Sequence, residues 1–176
     1  MKRKIIAVSG GFDPIHKGHV RMIREAAKHG DVVVILNSDE WLLRKKGYKF
    51  MNFDERSYIA GSIKGVIMTT GVDDSDGTVC KALERIRPDY FANGGDRTKK
   101  NIPEMVFDDV EYKFGVGGRD KKNSSSWILK DWEAPRTDRP WGYYRVFHEH
   151  GVTVKVKELV IYPGKKLSMQ KHEQRA

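Results

Sequence analysis

Two histidines, His16 and His19, stand three residues apart around Gly18 in the stretch SGGFDPIHKGHV, Ser9 to Val20. Imidazole rings donate hydrogen bonds, and two of them together suit the oxygens of a phosphate group. The surrounding residues strengthen that chemistry. Gly10 and Gly11 close a short apolar run and let the backbone approach an anion. Asp13 and Pro14 make a turn, and a helical pattern follows, whose first N–H groups point outward as a ready anion site. An isolated H-x-x-H pair needs no more than a capping histidine and a helix-surface histidine to explain it. The strand-to-turn context of GGFDP favours the phosphate site.

The elements that must position these residues alternate along most of the chain. KIIAV is short, apolar and β-branched, as in a strand. HVRMIREAAKHG places Val20, Ile23 and Ala27 on one helical face and stops at Gly30. DVVVILN is a continuous apolar run, as expected for a strand buried on both faces of a parallel sheet. FDERSYIAGSI reads as a helix and GVIMTT as a strand. SDGTVCKALERIRP offers Asp76 as an N-cap, a Val79–Leu83–Ile86 stripe and Pro88 as a stop. DYFAN and EYKFGVG read as strands, and SSSWILKDW as a helix opening on three serines. This alternation predicts an α/β fold, a doubly wound parallel sheet of Rossmann-like form. Ligands of such sheets bind outside the carboxyl ends of the strands. GGFDPIHKGH, NSDE and NGGDR each follow a strand directly, so all three are expected at one edge.

GGFDPIHKGH resembles the HxGH signature of the nucleotidyltransferase superfamily, which includes cytidylyltransferases and small adenylyltransferases, and the resemblance runs from about residue 4 to 132. NSDEW, KKGYKFMNFDER and NGGDR resemble later segments of glycerol-3-phosphate cytidylyltransferases and heptose-1-phosphate adenylyltransferases. KNSSSWIL stands where those families carry a phosphate-binding helix start, but GRDKKNSSSW departs from the Arg-Thr-x-Gly-Ile-Ser-Thr-Thr run of the cytidylyltransferases. The base, cytosine or adenine, stays open on that account.

The resemblance implies a reaction: an acceptor phosphate attacks the α-phosphorus of CTP or ATP and expels pyrophosphate. The acceptor would be a sugar phosphate or polyol phosphate. It implies His16 and His19 as stabilisers of the α-phosphate, beside Mg²⁺ brought with the nucleoside triphosphate and with no metal site of the chain's own. Gly10, Gly11, Phe12, Asp13 and Gly18 would form the loop around the phosphates. Lys46 would hold the acceptor's phosphate; the plain alternative is a solvated lysine in a basic loop. Arg56 would contact phosphates; the alternative is a surface salt bridge to Glu55 or Asp54. Gly95, Asp96 and Arg97 would bind the base or ribose, and Ser124, Ser125 and Ser126 the triphosphate. Asp13 reads better as a turn former and metal partner than as a catalytic acid. A non-catalytic nucleotide-binding or regulatory module is the alternative reading.

The bulk numbers set limits. The 176 residues fit one domain plus an appendage, and the single cysteine, Cys80, rules out an internal disulfide framework and suits a reducing cytoplasm. No apolar run is long enough to span a bilayer, and the N-terminal run is too short for a secretory signal. The net charge of +9 favours anionic partners, but no dense Lys/Arg run supports nucleic-acid binding. Residues 1–132 are expected as the nucleotidyltransferase domain and 133–140, EAPRTDRP, as a linker. Residues 141–176 alternate apolar and polar residues, as antiparallel strands with one wet face do. They resemble the opening of the cupin domain of type II mannose-6-phosphate isomerases. His172 matches the first metal ligand of that family, but Gln174 stands at the second. Neither isomerase activity nor a metal is therefore expected from this partial cupin-like extension. Its apolar positions, Val154, Val156, Leu159 and Ile161, call for a partner, and a homodimer is the expectation.

Overall fold

The structure, a computed structural model, describes residues 3–95, 97–118, 124–132, 136–150 and 154–167. The chain divides into two compact units, Met1–Ile128 and Leu129–Ala176.

The first unit is built on five parallel strands. They are β1 (Ile5–Gly10), β2 (Asp31–Leu36), β3 (Val66–Gly71), β4 (Tyr90–Asn93) and β5 (Glu111–Phe114), in the order β3-β2-β1-β4-β5. The central strands carry the most apolar sequence: Ile6 to Val8 and Val32 to Leu36 are all buried. Burying both faces of a strand demands such a run, because neither side meets water.

The helices are α1 (Lys17–Ala26), α2 (Asp39–Lys46), α3 (Phe53–Gly61), α4 (Cys80–Ile86) and α5 (Ser125–Trp132). Met22, Ile23 and Ala26 of α1 and Ala60 of α3 pack with Val8, Val32 and Val34 on one face of the sheet. Ala82 and Leu83 of α4 pack with Ala7, Ile35 and Phe91 on the other. This is the doubly wound arrangement expected. The connections leave β1 in opposite directions, towards β2 and towards β4. A crevice opens between the carboxyl ends of β1 and β4 at such a reversal.

Two local readings need correction. Lys46, read within a basic loop, instead ends a helix, α2, which is capped by Ser38, whose Oγ accepts the Trp41 N–H at 3.0 Å. Asp74 fixes that helix start by accepting from Asn37 Nδ2, the Ser38 N–H and Ser38 Oγ at 2.7–3.0 Å. Asp76 is not the N-cap of α4. Its carboxylate accepts the Thr78 N–H at 2.8 Å, and the helix begins only after Val79.

The second unit is a three-stranded antiparallel sheet of β6 (Arg136–Arg139), β7 (Gly142–His150) and β8 (Val154–Ile161), in that order. Residues 136–139, read as linker, are thus strand: Thr137 pairs with Tyr144 and Asp138 with Tyr143. Arg136 lies 4.0 Å over the Tyr143 ring and Lys157 4.9 Å over that of Tyr144. Leu159 and Ile161 share one face of β8 and are 49% and 44% exposed. His172 and Gln174 lie outside the described residues, as do the side chains of Val154 and Val156.

Candidate active site

A cavity of about 390 Å³ lies at the carboxyl ends of β1, β2 and β4. Residues of all three post-strand segments line it, among them Gly10, Gly11, Phe12, His16, Gly18 and His19, then Asn37, then Gly94, Gly95 and Arg97. Its floor is the start of α1, where the two histidines form a reciprocal cap. His16 Nδ1 accepts the Gly18 N–H at 3.1 Å, and His19 Nδ1 accepts the His16 N–H at 3.3 Å. Two of the helix's otherwise unpaired donors are satisfied in this way. The rings stack with centroids 3.8 Å apart, and the edge of Phe12 meets His19 at 4.8 Å.

That cap decides the tautomer. With both Nδ1 atoms acting as acceptors, each neutral ring carries its proton on Nε2. Burial, followed by the neighbouring charge of Lys46, holds His16 below its ordinary pKa. Burial, His16 and Lys46 together bring His19 down to about 3. Both rings are therefore neutral near pH 7, and each has one N–H left to donate. Gly18 makes the stack possible. A Cβ there would sit 2.9 Å from His16 Cε1 and 3.0 Å from Nδ1.

Cations gather beside the histidines in the lining: Arg21, Lys45, Lys46 and Arg97. Lys46, the last residue of α2, donates to the Asp13 carbonyl at 2.6 Å. Partial burial lowers its pKa, and Lys45 is lowered by burial and by the charge of Arg97. Lys45 stands 4.2 Å over the Trp41 ring. Cations gathered this closely repel one another unless an anion lies between them. At the remaining wall Ser124, Ser125 and Ser126 bring the N-terminus of α5, and Ser125 Oγ–H donates to the Pro14 carbonyl at 2.9 Å.

The comparisons with known proteins agree with this geometry. The family model for cytidylyltransferase-like proteins matches residues 7–141, three quarters of the chain. The chain belongs to the cytidylyltransferase-like family. A second model, for the C-terminal part of mannose-6-phosphate isomerase, matches residues 131–176. The bifunctional protein HldE of Geobacter metallireducens is 32% identical over 136 residues, covering 73% of this chain and 27% of that protein. The chain thus spans about a quarter of the length of these bifunctional relatives. An FAD synthase of Ferroglobus placidus is 35% identical over 95 residues, 54% of this chain and 60% of that one. Among solved structures, a lipopolysaccharide core biosynthesis protein from Thermoplasma volcanium superposes with a TM-score of 0.54 at 20% identity. It covers 67% of this chain and 99% of its own, and speaks for the fold.

Within this cytidylyltransferase-like site, the residues expected from the sequence fall into two groups. His16, His19, Lys46, Gly10, Gly11, Phe12, Gly18, Gly95, Arg97 and the three serines all line the cavity. Arg56 and Asp13 do not. Arg56 is fully buried, and its guanidinium donates to the Gly11 and Asn37 carbonyls at 2.7 and 3.0 Å. It donates further to the Met51 carbonyl at 3.2 Å and to Asp39 at 2.6 Å. In this fold it braces the strand ends. Asp13 is also fully buried, and its carboxylate accepts the Phe50 and Met51 N–H groups at 3.0 and 2.7 Å. It anchors the segment after α2. Asp96 lies outside the described residues.

Sequence reasoning missed Trp41 and Glu104, both of which line the cavity. Trp41 stood in the quoted NSDEW segment and could have been read as the residue facing the ligand. Among the described residues no group of His, Cys, Asp and Glu is placed to hold a metal ion. The donor set of the cavity, imidazole N–H groups and cationic side chains, suits phosphate oxygens. With Glu104 as the one carboxylate among the described lining residues, a Mg²⁺ ion here would have to draw most of its ligands from a bound ligand's oxygens and from water. No helix among the described residues is long and apolar enough to cross a membrane.

Proposed function

We propose that this protein is a nucleotidyltransferase that moves a nucleoside monophosphate from CTP or ATP to the phosphate of a sugar or polyol. One observation supports this above the others: two stacked, neutral histidines present Nε2–H groups at a helix N-terminus, beside Lys46, where the sheet's connections reverse.

An oxygen of the acceptor phosphate forms a bond to the α-phosphorus, and the bond from that phosphorus to the bridging β-phosphate oxygen breaks. Pyrophosphate leaves with the electron pair. The attacking oxygen is already ionised, so no residue has to take a proton from it. His16 and His19 donate from Nε2 to the α-phosphate oxygens, where charge grows as the new bond forms. Lys46 holds the acceptor's phosphate in line, and the serines at the start of α5 hold the triphosphate. Mg²⁺ brought with the nucleotide would supply neutralisation of charge on the leaving pyrophosphate.

The test is pyrophosphate release with Mg²⁺, with CTP and ATP each offered against sugar 1-phosphates and glycerol 3-phosphate. Turnover with one pair is expected. His19→Ala should lower kcat by roughly 10²–10³-fold, the usual loss for one such donor. Nucleotide binding without turnover across the panel would instead favour a non-catalytic module.

A further inference from the structure

Beyond the histidines the cavity has two ends of different character. Next to α1 it is lined by Met22, Gly94, Val116 and Gly117, packed tightly together. A Cβ on Gly94 would sit 2.8 Å from Met22 Sδ and 3.0 Å from the Val116 carbonyl. On the sheet face that carries α4, the wall is Val79, Ile102 and Glu104.

Glu104 is only 9% exposed, and the exposure it has faces the cavity. Oε1 accepts the Val79 N–H at 3.3 Å, and the second carboxylate oxygen has no hydrogen bond among the described residues. Its backbone is pinned: the Tyr112 hydroxyl donates to the Glu104 carbonyl at 2.6 Å and accepts the Phe107 N–H at 3.2 Å. It is the one carboxylate among the described lining residues, against Arg21, Lys45, Lys46 and Arg97. Capping α4, whose N-cap residue has no side-chain bond of its own, occupies a single oxygen. That second oxygen is open to the cavity rather than sealed in, so a ligand hydroxyl can donate to it. A ligand that is phosphate throughout would be repelled by it. One with phosphate at one end and hydroxyl groups at the other satisfies both the cations and the acid.

We propose that Glu104 reads the body of the acceptor, accepting a hydrogen bond from a hydroxyl of the sugar or polyol and rejecting acceptors that carry a second anion there. The assignment of this end to the acceptor rests on the nucleotidyl-transfer reading.

Matched pairs test it: glycerol 3-phosphate with 3-phosphoglycerate, and glucose 1-phosphate with glucuronic acid 1-phosphate. In each pair a terminal CH₂OH becomes a carboxylate. Calorimetric titration of the full chain, with inorganic phosphate as reference, should show the hydroxyl member of at least one pair bound on the order of tenfold more tightly. The cationic lining by itself would favour the other member. Glu104→Gln still accepts the Val79 N–H, so it should melt as the wild type does. It should bring the ratio near one and leave inorganic phosphate unaffected. Lys46→Ala should weaken both members and preserve the ratio. The proposal falls if the wild type shows no preference, or binds neither hydroxyl member better than inorganic phosphate. It falls equally if Glu104→Gln keeps the ratio. Pyrophosphate release measured in parallel reports on the parent reading: silence there with the pairs still separated would sink transfer and leave Glu104 as a reader of phosphorylated polyols.

Discussion

Each ring of the His16–His19 pair holds the helix start with Nδ1 and keeps Nε2 for a ligand, so the pair answers to geometry before charge. Gly18→Ala tests the geometry. Its methyl would push the His16 ring off the stack, and kcat should fall by about 10²-fold if one donor is lost. Pyrophosphate release checks this, with thermal melting to confirm the fold. Charge has its own signature. A histidine in an unfolded chain protonates near pH 6.5, whereas His19 in the fold does so only near 3. Between those values the unfolded chain binds the extra proton. This contribution to stability is full above about pH 6.5 and declines as the pH falls towards 3. Urea midpoints between pH 7.5 and 4 should therefore drop more steeply for wild type than for His19→Asn. Parallel slopes would show that His19 titrates freely.

At the scale of elements, Arg56 ties together pieces that meet only in three dimensions: the β1 turn, the end of β2, the start of α2 and the segment before α3. Arg56→Met leaves the Gly11, Asn37 and Met51 carbonyls and Asp39 short of a donor. The loss should be about 3–5 kcal/mol, read from urea unfolding. Arg56→Lys should recover little of it, because an ammonium has no planar fork. The same residue marks where the sequence stops being legible. DVVVIL announces a buried strand by composition alone, and the GGFDPIHKGH turn carries its helix start and its anion chemistry locally. In FDERSY, Arg56 sits among polar neighbours, and its partners lie 5 to 45 positions away. Nothing near it in the chain signals burial. Helix α2 was hidden for another reason: Leu42 is its one buried residue, so eight residues show no apolar stripe. Glu104 was illegible because its role depends on Val79, 25 residues back.

For the molecule as a whole, the first unit contains every described residue that lines the cavity, and the second presents Leu159 and Ile161 on one face of β8. The proposed homodimer would cover that face. Light scattering should then give twice the chain mass, and replacing both residues with lysine should give the single mass. A wild-type monomer would end the idea. The Ser125 hydroxyl bound to the Pro14 carbonyl joins positions 111 apart and closes the cavity's last wall. A chain growing from its N-terminus makes the histidine floor early, but cannot complete the phosphate cradle until α5 has been synthesised. On a ribosome, then, nucleotide would find no complete site on the nascent protein until α5 had been added, and capacity to bind would appear in a single step.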